Sequence, residues 1–194
     1  MQQNLGFSPL MTGLAFLPMT GMIVLTATTV QTQVLHRTGA KPLVIAGMAL
    51  GLTAMIWFTR LSAGGAYASQ ILPGLIILGL GMGCIFAPAF STATLGVARE
   101  DAGIASAMVN TSQQVGGSVG TSLLSTIFAS ATASYAAGHA YLQGLASAAM
   151  IHGDTTAFSW AAGIFALGFL VALVLLPRKL GSRAPATEVS LAVE

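Results

Sequence analysis

The stretch ILPGLIILGLGMGCIFAPAFSTATLGVA, residues 71–98, contains no charged side chain. An α-helix rises about 1.5 Å per residue, so about 20 residues cross a hydrocarbon core of about 30 Å. The apolar run Leu75-Ile76-Ile77-Leu78 does not alternate with polar residues, as the strands of a membrane β-barrel would. Residues 71–98 are therefore predicted to form a transmembrane helix.

Four further stretches also lack charged residues: 10–35, 42–59, 103–130 and 155–176. Backbone polar groups in lipid must be satisfied within the segment, so each stretch is predicted to be a helix. The sequence thus predicts an all-α integral membrane protein. Five transmembrane helices form a bundle within residues 1–180, and a tail follows at 181–194.

The composition agrees with a membrane protein and excludes other classes. Charged residues make up 6% of the chain and hydrophobic residues 55%, whereas a soluble domain carries about 25% charged residues. Disorder is excluded, because it requires low hydrophobicity and high net charge. A net charge of +2 without a basic cluster cannot neutralise a run of phosphates, so no nucleic acid is expected as a partner. The expected surroundings are the lipid bilayer.

The basic residues of the connections predict an orientation. With five spans, six of the seven Lys and Arg residues fall on one side of the membrane, and only Arg60 falls on the other; the six are Arg37, Lys41, Arg99, Arg178, Lys179 and Arg183. Cytoplasmic loops carry the excess of basic residues. The N-terminus is therefore predicted outside and the C-terminal tail in the cytoplasm.

The segment 131–154 is interpreted as an external connection between the last two spans. It is rich in small and polar residues, and a sixth span here would move the last three basic residues outside. Whether this segment is helical is left open. Asp154 is interpreted as the N-cap of helix 155–176, so none of the five predicted spans contains an ionisable residue.

The helix at 103–130 carries a polar stripe. At about 100° per residue, one face presents Gly103, Ser106, Asn110, Gln113, Gln114, Gly117 and Thr121. Amides are costly in hydrocarbon, so this face is expected to point into the bundle or an aqueous cavity. Asn110, Gln113 and Gln114 are therefore candidates for lining a substrate pathway. The alternative is hydrogen bonding between helices, which the many small residues favour.

Prolines and glycines mark two more features within the spans. Pro18 and Pro88 are predicted to kink their helices, because proline removes a backbone hydrogen bond. The glycines at 79, 81 and 83 are interpreted as a helix-packing surface rather than a dinucleotide-binding motif, which needs different spacing and a preceding strand. No nucleophile–base pair or metal-ligand cluster is found, so catalytic residues, metal and cofactors are not expected.

Three motifs resemble the 14-helix drug:proton antiporters of the major facilitator superfamily. The first is Gly6-Phe7-Ser8-Pro9-Leu10 with Gly13-Leu14-Ala15-Phe16-Leu17-Pro18-Met19. The second is the loop His36-Arg37-Thr38-Gly39-Ala40-Lys41-Pro42, which is similar to the basic loop that helps to control gating in this family. The third, and closest, runs from Glu100-Asp101-Ala102-Gly103 to Asn110-Thr111-Ser112-Gln113-Gln114-Val115-Gly116-Gly117.

The resemblance implies that the chain forms the last five helices of the C-terminal six-helix half of a major facilitator fold. It further implies the C-terminal portion of a proton-coupled multidrug efflux transporter, which works by alternating access in a bacterial cell membrane on an amphipathic small-molecule substrate. Arg37, Gly39 and Lys41 match the gating loop. No proton-binding or drug-binding residue of the family is carried over, and we expect the chain to be inactive alone.

Two alternatives remain open from the sequence. If the chain is the C-terminal portion of a transporter, the expected partner is the missing N-terminal transporter half. One alternative is a small membrane transporter or pore that assembles from two copies of the chain. The other is a regulatory membrane subunit that binds an intact transporter and does not itself transport.

Overall fold

The computed structural model describes residues 7–62, 65–94, 97–98, 100–139, 141 and 144–176, and the regular structure in these residues is entirely helical. The elements are α1 (Pro9–Ala15), α2 (Leu17–Thr29), a π-helical turn (Val30–Val34), α3 (Leu35–Thr38), α4 (Ala40–Phe58), α5 (Tyr67–Gln70), α6 (Leu72–Thr94), α7 (Ala102–Gly138) and α8 (Leu145–Leu175). The elements from α1 to α3 form one long helical segment. These ranges thus contain five long helical segments, as the sequence predicts.

Four of these segments are long and apolar enough to cross a membrane. They are Pro9–Thr38, Ala40–Phe58, Tyr67–Ala93 and Leu145–Leu175. The remaining helix, α7, has sufficient length but is more polar, because its first half carries the amides of the polar stripe among many glycines and serines. The prediction of an all-helical membrane protein is therefore confirmed with four candidate spans among the described residues.

The last two helices extend well into the segment 131–154. Helix α7 continues to Gly138 and α8 begins at Leu145, so most of the segment 131–154 is helical. Alanine is the most frequent residue in both extensions, with four of the eight residues at 131–138 and three of the ten at 145–154, and alanine is the best helix former. The N-cap role predicted for Asp154 is therefore wrong, because Gly144 holds that position with a φ of +74° and Asp154 lies inside α8. The candidate span Leu145–Leu175 thus includes His152 and Asp154, which precede the uncharged stretch 155–176.

Helix α6 lies between α2 and α4, and its glycines permit both contacts. A Cβ on Gly83 would lie 2.6 Å from the Cβ of Thr26 in α2, and Gly79 faces the same helix. A Cβ on Gly81 would lie 2.9 Å from the carbonyl oxygen of Gly47 in α4. Because no side chain separates the backbones at these points, the helices approach closely. The interpretation of residues 79–83 as a packing surface is confirmed.

Helix α8 packs along α4 and α7. The ring of Phe165 fills the space beside Gly51 of α4, and the sulfur of Met48 lies 3.1 Å from the Cβ position of Gly168. On its other side, Gly153 of α8 faces side chains of α7. A buried apolar cluster joins α4, α6 and α8; its members are Ala54, Met55, Phe58, Leu75 and Ala161.

The two prolines predicted to kink their helices differ in their surroundings. Pro18 lies in the first turn of α2, directly after a break at Phe16, whose N–H donates to the carbonyl of Gly13 at 3.1 Å. The hydroxyl of Tyr67 donates to the carbonyl of Ala15 at 2.6 Å, which ties α5 to this break. Pro88 is fully buried within α6, which is assigned as one helix from Leu72 to Thr94. A bend at Pro88 stays a prediction.

Candidate functional site

The polar stripe lies on an open face of α7. Asn110, Gln113 and Gln114 are all exposed, and α7 contains no fully buried residue among those described. Helix α7 packs mainly on α8, with a smaller contact to α6. At five of its glycines an added Cβ would have nothing within 4 Å: Gly103, Gly116, Gly117, Gly120 and Gly138. The packing alternative for the stripe therefore has no partner helix among the described residues.

A groove of about 540 Å³ runs between α6 and α7, and we call it the α6–α7 groove. Its walls are mostly apolar, with Ile85, Phe86 and Ala89 from α6 and Met108 and Val109 from α7. Ser112 and Gln113 are the two polar residues that line it. This volume lies in the range of about 300–1,000 Å³ that is typical of small-molecule sites.

The groove separates the three pathway candidates. Gln113 lines the groove, whereas Asn110 and Gln114 are exposed on α7 outside it. An amide in an apolar wall can donate and accept hydrogen bonds, and so it can orient an amphipathic molecule. Of the three candidates, Gln113 is thus the one that the geometry places against a space for a ligand.

Helix α2 presents a second open face, with a groove of about 550 Å³ along Leu17, Thr20, Gly21, Val24, Leu25, Thr28 and Thr29. Its threonine hydroxyls are occupied locally. Thr28 and Thr29 each donate to the carbonyl four residues earlier, at 2.8 Å. This face therefore offers no free hydroxyl proton at these two positions, and its character is apolar.

The three gating-loop candidates lie at one end of the bundle. Arg37 is exposed in the last turn of α3, and Gly39 caps α4 with φ +78° and ψ 174°. The Lys41 ammonium donates hydrogen bonds to the carbonyl oxygens of Leu173 at 2.8 Å and Leu176 at 2.6 Å. The loop and the end of α8 therefore lie at the same end of the bundle, as the predicted topology requires.

Replacing Gly39 with alanine should destabilise the chain. Its backbone conformation lies in a region that is nearly restricted to glycine, and forcing another residue into such a conformation costs about 1–3 kcal/mol. The space around the Cβ position is open, so the cost arises from the backbone alone. We expect the midpoint of thermal unfolding in detergent to fall by about 2–10 °C.

Gly13→Ala is the matched control for Gly39→Ala. Gly13 also has open space around its Cβ position, but it lies inside α1 at an ordinary helical φ. Alanine is favoured over glycine in a helix by about 0.5–1 kcal/mol, so this variant should be as stable as the parent or slightly more so. An equal loss of stability in both variants would contradict the explanation.

A cluster of aromatic and imidazole rings joins α7 to α8, and it was not expected from the sequence. The ring of Tyr135 stacks on His139, with centroids 4.2 Å apart, and on His152, with centroids 4.7 Å apart. His139 Nδ1 lies 3.0 Å from the carbonyl oxygen of Tyr135, and a hydrogen bond between them requires the proton on Nδ1, because a carbonyl oxygen only accepts. The i, i+4 spacing of Tyr135 and His139 would have indicated the contact between these two rings if the predicted helix 103–130 had continued to residue 139.

Tight glycine packing, four candidate spans and an open, largely apolar groove in the described ranges define a multi-pass membrane protein. The chain belongs to the major facilitator superfamily, whose sequence profile matches residues 1–121. It is 37% identical over 178 residues to the puromycin resistance protein pur8 of Streptomyces alboniger, and the match covers 91% of this chain and 35% of that protein.

Two further relatives are similar to a shorter part of the chain. The cephamycin export protein CmcT of Amycolatopsis lactamdurans is 33% identical over 132 residues, covering 68% of this chain and 27% of that protein. The multidrug resistance protein B homolog of Mycobacterium tuberculosis is 33% identical over 128 residues, covering 66% of this chain and 24% of that protein. The chain thus spans about a third or less of the length of these relatives.

The comparisons confirm the family resemblance that was drawn from the three motifs. The matching relatives are drug and antibiotic resistance or export proteins of the superfamily. The prediction that the chain is not an enzyme is also confirmed, because this family consists of transporters.

Proposed function

We propose that the chain is the C-terminal portion of a proton-coupled multidrug efflux transporter and works by alternating access with an N-terminal half. The observation that carries the proposal is the alignment of 91% of the chain with 35% of a puromycin resistance protein. The open faces of α2 and α7 support it, because both are long helical surfaces that no described helix covers. The partner that would cover them is the N-terminal half.

In this proposal α7 also crosses the membrane, so that it is the fourth of five transmembrane helices in chain order. Its 37 residues correspond to about 55 Å, well beyond the hydrocarbon thickness of about 30 Å. It packs on α8, which is itself a candidate span. Its amides are tolerated in the membrane if its open face borders an aqueous cavity rather than lipid.

The proposed orientation has the N-terminus outside and the C-terminus in the cytoplasm of a bacterial cell. The excess of basic residues in the predicted connections supports it. The contact of Lys41 with the end of α8 supports the placement of those two segments on one side. The turn between α7 and α8, with the adjoining parts of 131–154, would then project outside the membrane.

The proposed substrate is an amphipathic small molecule that binds partly in the α6–α7 groove. The apolar walls would bury its hydrophobic part, and Gln113 would hydrogen-bond its polar part. The names of the relatives, which concern puromycin, cephamycin and multidrug resistance, support a drug-like molecule. No carboxylate of the described residues lines this groove, so recognition of a cationic substrate is assigned to the N-terminal half.

The proposal can be tested with a chimeric transporter. The 35% of the puromycin resistance protein that aligns with this chain is replaced by the chain, and the chimera is expressed in puromycin-sensitive bacteria. We expect resistance to return with the chimera and to be absent with this chain alone or with the truncated relative. A fluorescent tag reports the amount of each protein in the membrane.

Two results would contradict the proposal. Resistance conferred by this chain alone would favour the self-assembling transporter. A chimera that reaches the membrane in normal amounts, extracts as a monodisperse protein and still exports no puromycin would show that the chain does not supply a transporter's C-terminal portion.

A further inference from the structure

We propose that Lys41 is a positioning residue that fastens the gating loop to the last described helix, so that the loop, α4 and α8 move as one unit during transport. The joint movement rests on the proposed function, because it requires a transport cycle. The contact itself is independent of that function. Lys41 is the second residue of α4, and its ammonium reaches the carbonyls of Leu173 and Leu176 at the end of α8.

The chemistry of this contact is that of a helix C-terminal cap. The last four carbonyls of a helix have no partner within the helix. Leu173 belongs to this last turn and Leu176 follows α8 directly. A cation at this end satisfies the carbonyls and interacts favourably with the helix dipole. Lys41 is half-buried, which reduces screening by solvent and salt.

The Lys41 contact ends a continuous antiparallel contact between α4 and α8. Met48 meets Gly168, and Gly51 meets Phe165. Further along, the rings of Phe58 and Phe158 lie 5.0 Å apart. Residue numbers rise along α4 while those of the contacting residues fall along α8, so the two helices are antiparallel. Lys41 therefore fixes the register of this pair at the end where the loop joins it.

Lys41 and the other loop residues have separate roles. The chain enters α4 through Gly39, whose Cβ position has nothing within 4 Å. Arg37 is exposed. Lys41 alone of the three makes a described hydrogen bond to a distant helix. A displacement of α8 would thus be transmitted to the loop through Lys41.

The first experiment measures thermal unfolding of the full chain in detergent. Lys41→Met should lower the midpoint by about 2–4 °C, because a helix-terminal charge contact is lost. Lys41→Arg should recover most of this shift, since it restores the charge and the donors. Arg60→Met is the control, because it removes the same charge from an exposed residue at a different connection. Equal midpoints for Lys41→Met and the parent would overturn the proposal.

The second experiment tests whether the contact persists during transport. Cysteines replace Lys41 and Leu176 in the chimeric transporter on a background without other cysteines, and a short thiol crosslinker joins them in membranes. We expect crosslinking in the presence and absence of puromycin, and export retained within about twofold after crosslinking. Crosslinking that abolishes export would show that the contact must open, and would overturn the joint movement.

The two experiments separate failure of this inference from failure of the proposed function. Thermal midpoints and crosslinking yields report on the Lys41 contact even if the chimera exports no puromycin. A chimera that exports puromycin normally while Lys41→Met changes neither midpoint nor export would refute the positioning role alone.

Discussion

Replacing Gly81 with leucine is expected to separate α4 from α6 and to destabilise the bundle by about 3 kcal/mol. Even a single Cβ at this position would lie 2.9 Å from the carbonyl oxygen of Gly47 and 3.1 Å from the amide nitrogen of Gly51. Both neighbours are backbone atoms, so no side-chain rotation can relieve the overlap. The thermal midpoint of the chain should fall by about 6–12 °C.

Gly117→Leu is the matched control for Gly81→Leu. Gly117 also lies inside a long helix, but nothing lies within 4 Å of its Cβ position. Leucine is a better helix former than glycine, so this variant should unfold at the same temperature as the parent or slightly higher. If both leucine variants lost stability equally, close packing at Gly81 would not be the cause.

Replacing Gln113 with leucine in the chimera is expected to reduce puromycin export about tenfold. Gln113 is the amide that lines the α6–α7 groove. Losing one hydrogen bond to a bound molecule costs about 1–2 kcal/mol, and about 1.4 kcal/mol corresponds to a factor of ten. Concentration-dependent export assays should show the loss, while the thermal midpoint should stay unchanged because Gln113 is exposed in the chain.

Gln114→Leu provides the comparison at the neighbouring position. It removes the same amide from the same helix, but Gln114 does not line the groove. Export by this variant should remain within about threefold of the parent chimera. If Gln114→Leu abolished export and Gln113→Leu did not, the substrate path would follow the other side of the polar stripe.

The long helical segments and the role of the glycine run were predicted well from the sequence. Charged residues are absent over membrane-length stretches because charge is costly in lipid. Glycines in an apolar helix indicate close packing against another helix. The ends of the last two helices were harder to predict. Alanines at 131–138 continue a helix beyond the length needed to span lipid, and a length-based prediction stops at that limit.

The candidate site was predicted less completely. The stripe containing Gln113 follows from helical periodicity, but the distinction between Gln113 and Gln114 depends on where α6 lies. The partner of Lys41 lies 132 residues away in the chain, and no local pattern indicates such a contact. The resemblance of the loop to a gating loop marks Lys41 as a candidate, but it does not indicate the contact of Lys41 with the end of α8.

The position of α6 between α2 and α4 has a consequence for how the protein is made. Both helices that its glycines contact precede α6 in the chain, so both have already been synthesised when α6 leaves the ribosome. Assembly of these three helices in the membrane can therefore begin during translation. Helix α8 is the last of the described helices to be synthesised, and it returns to α4, an early helix. The packing of this bundle is therefore completed only when α8 has been made.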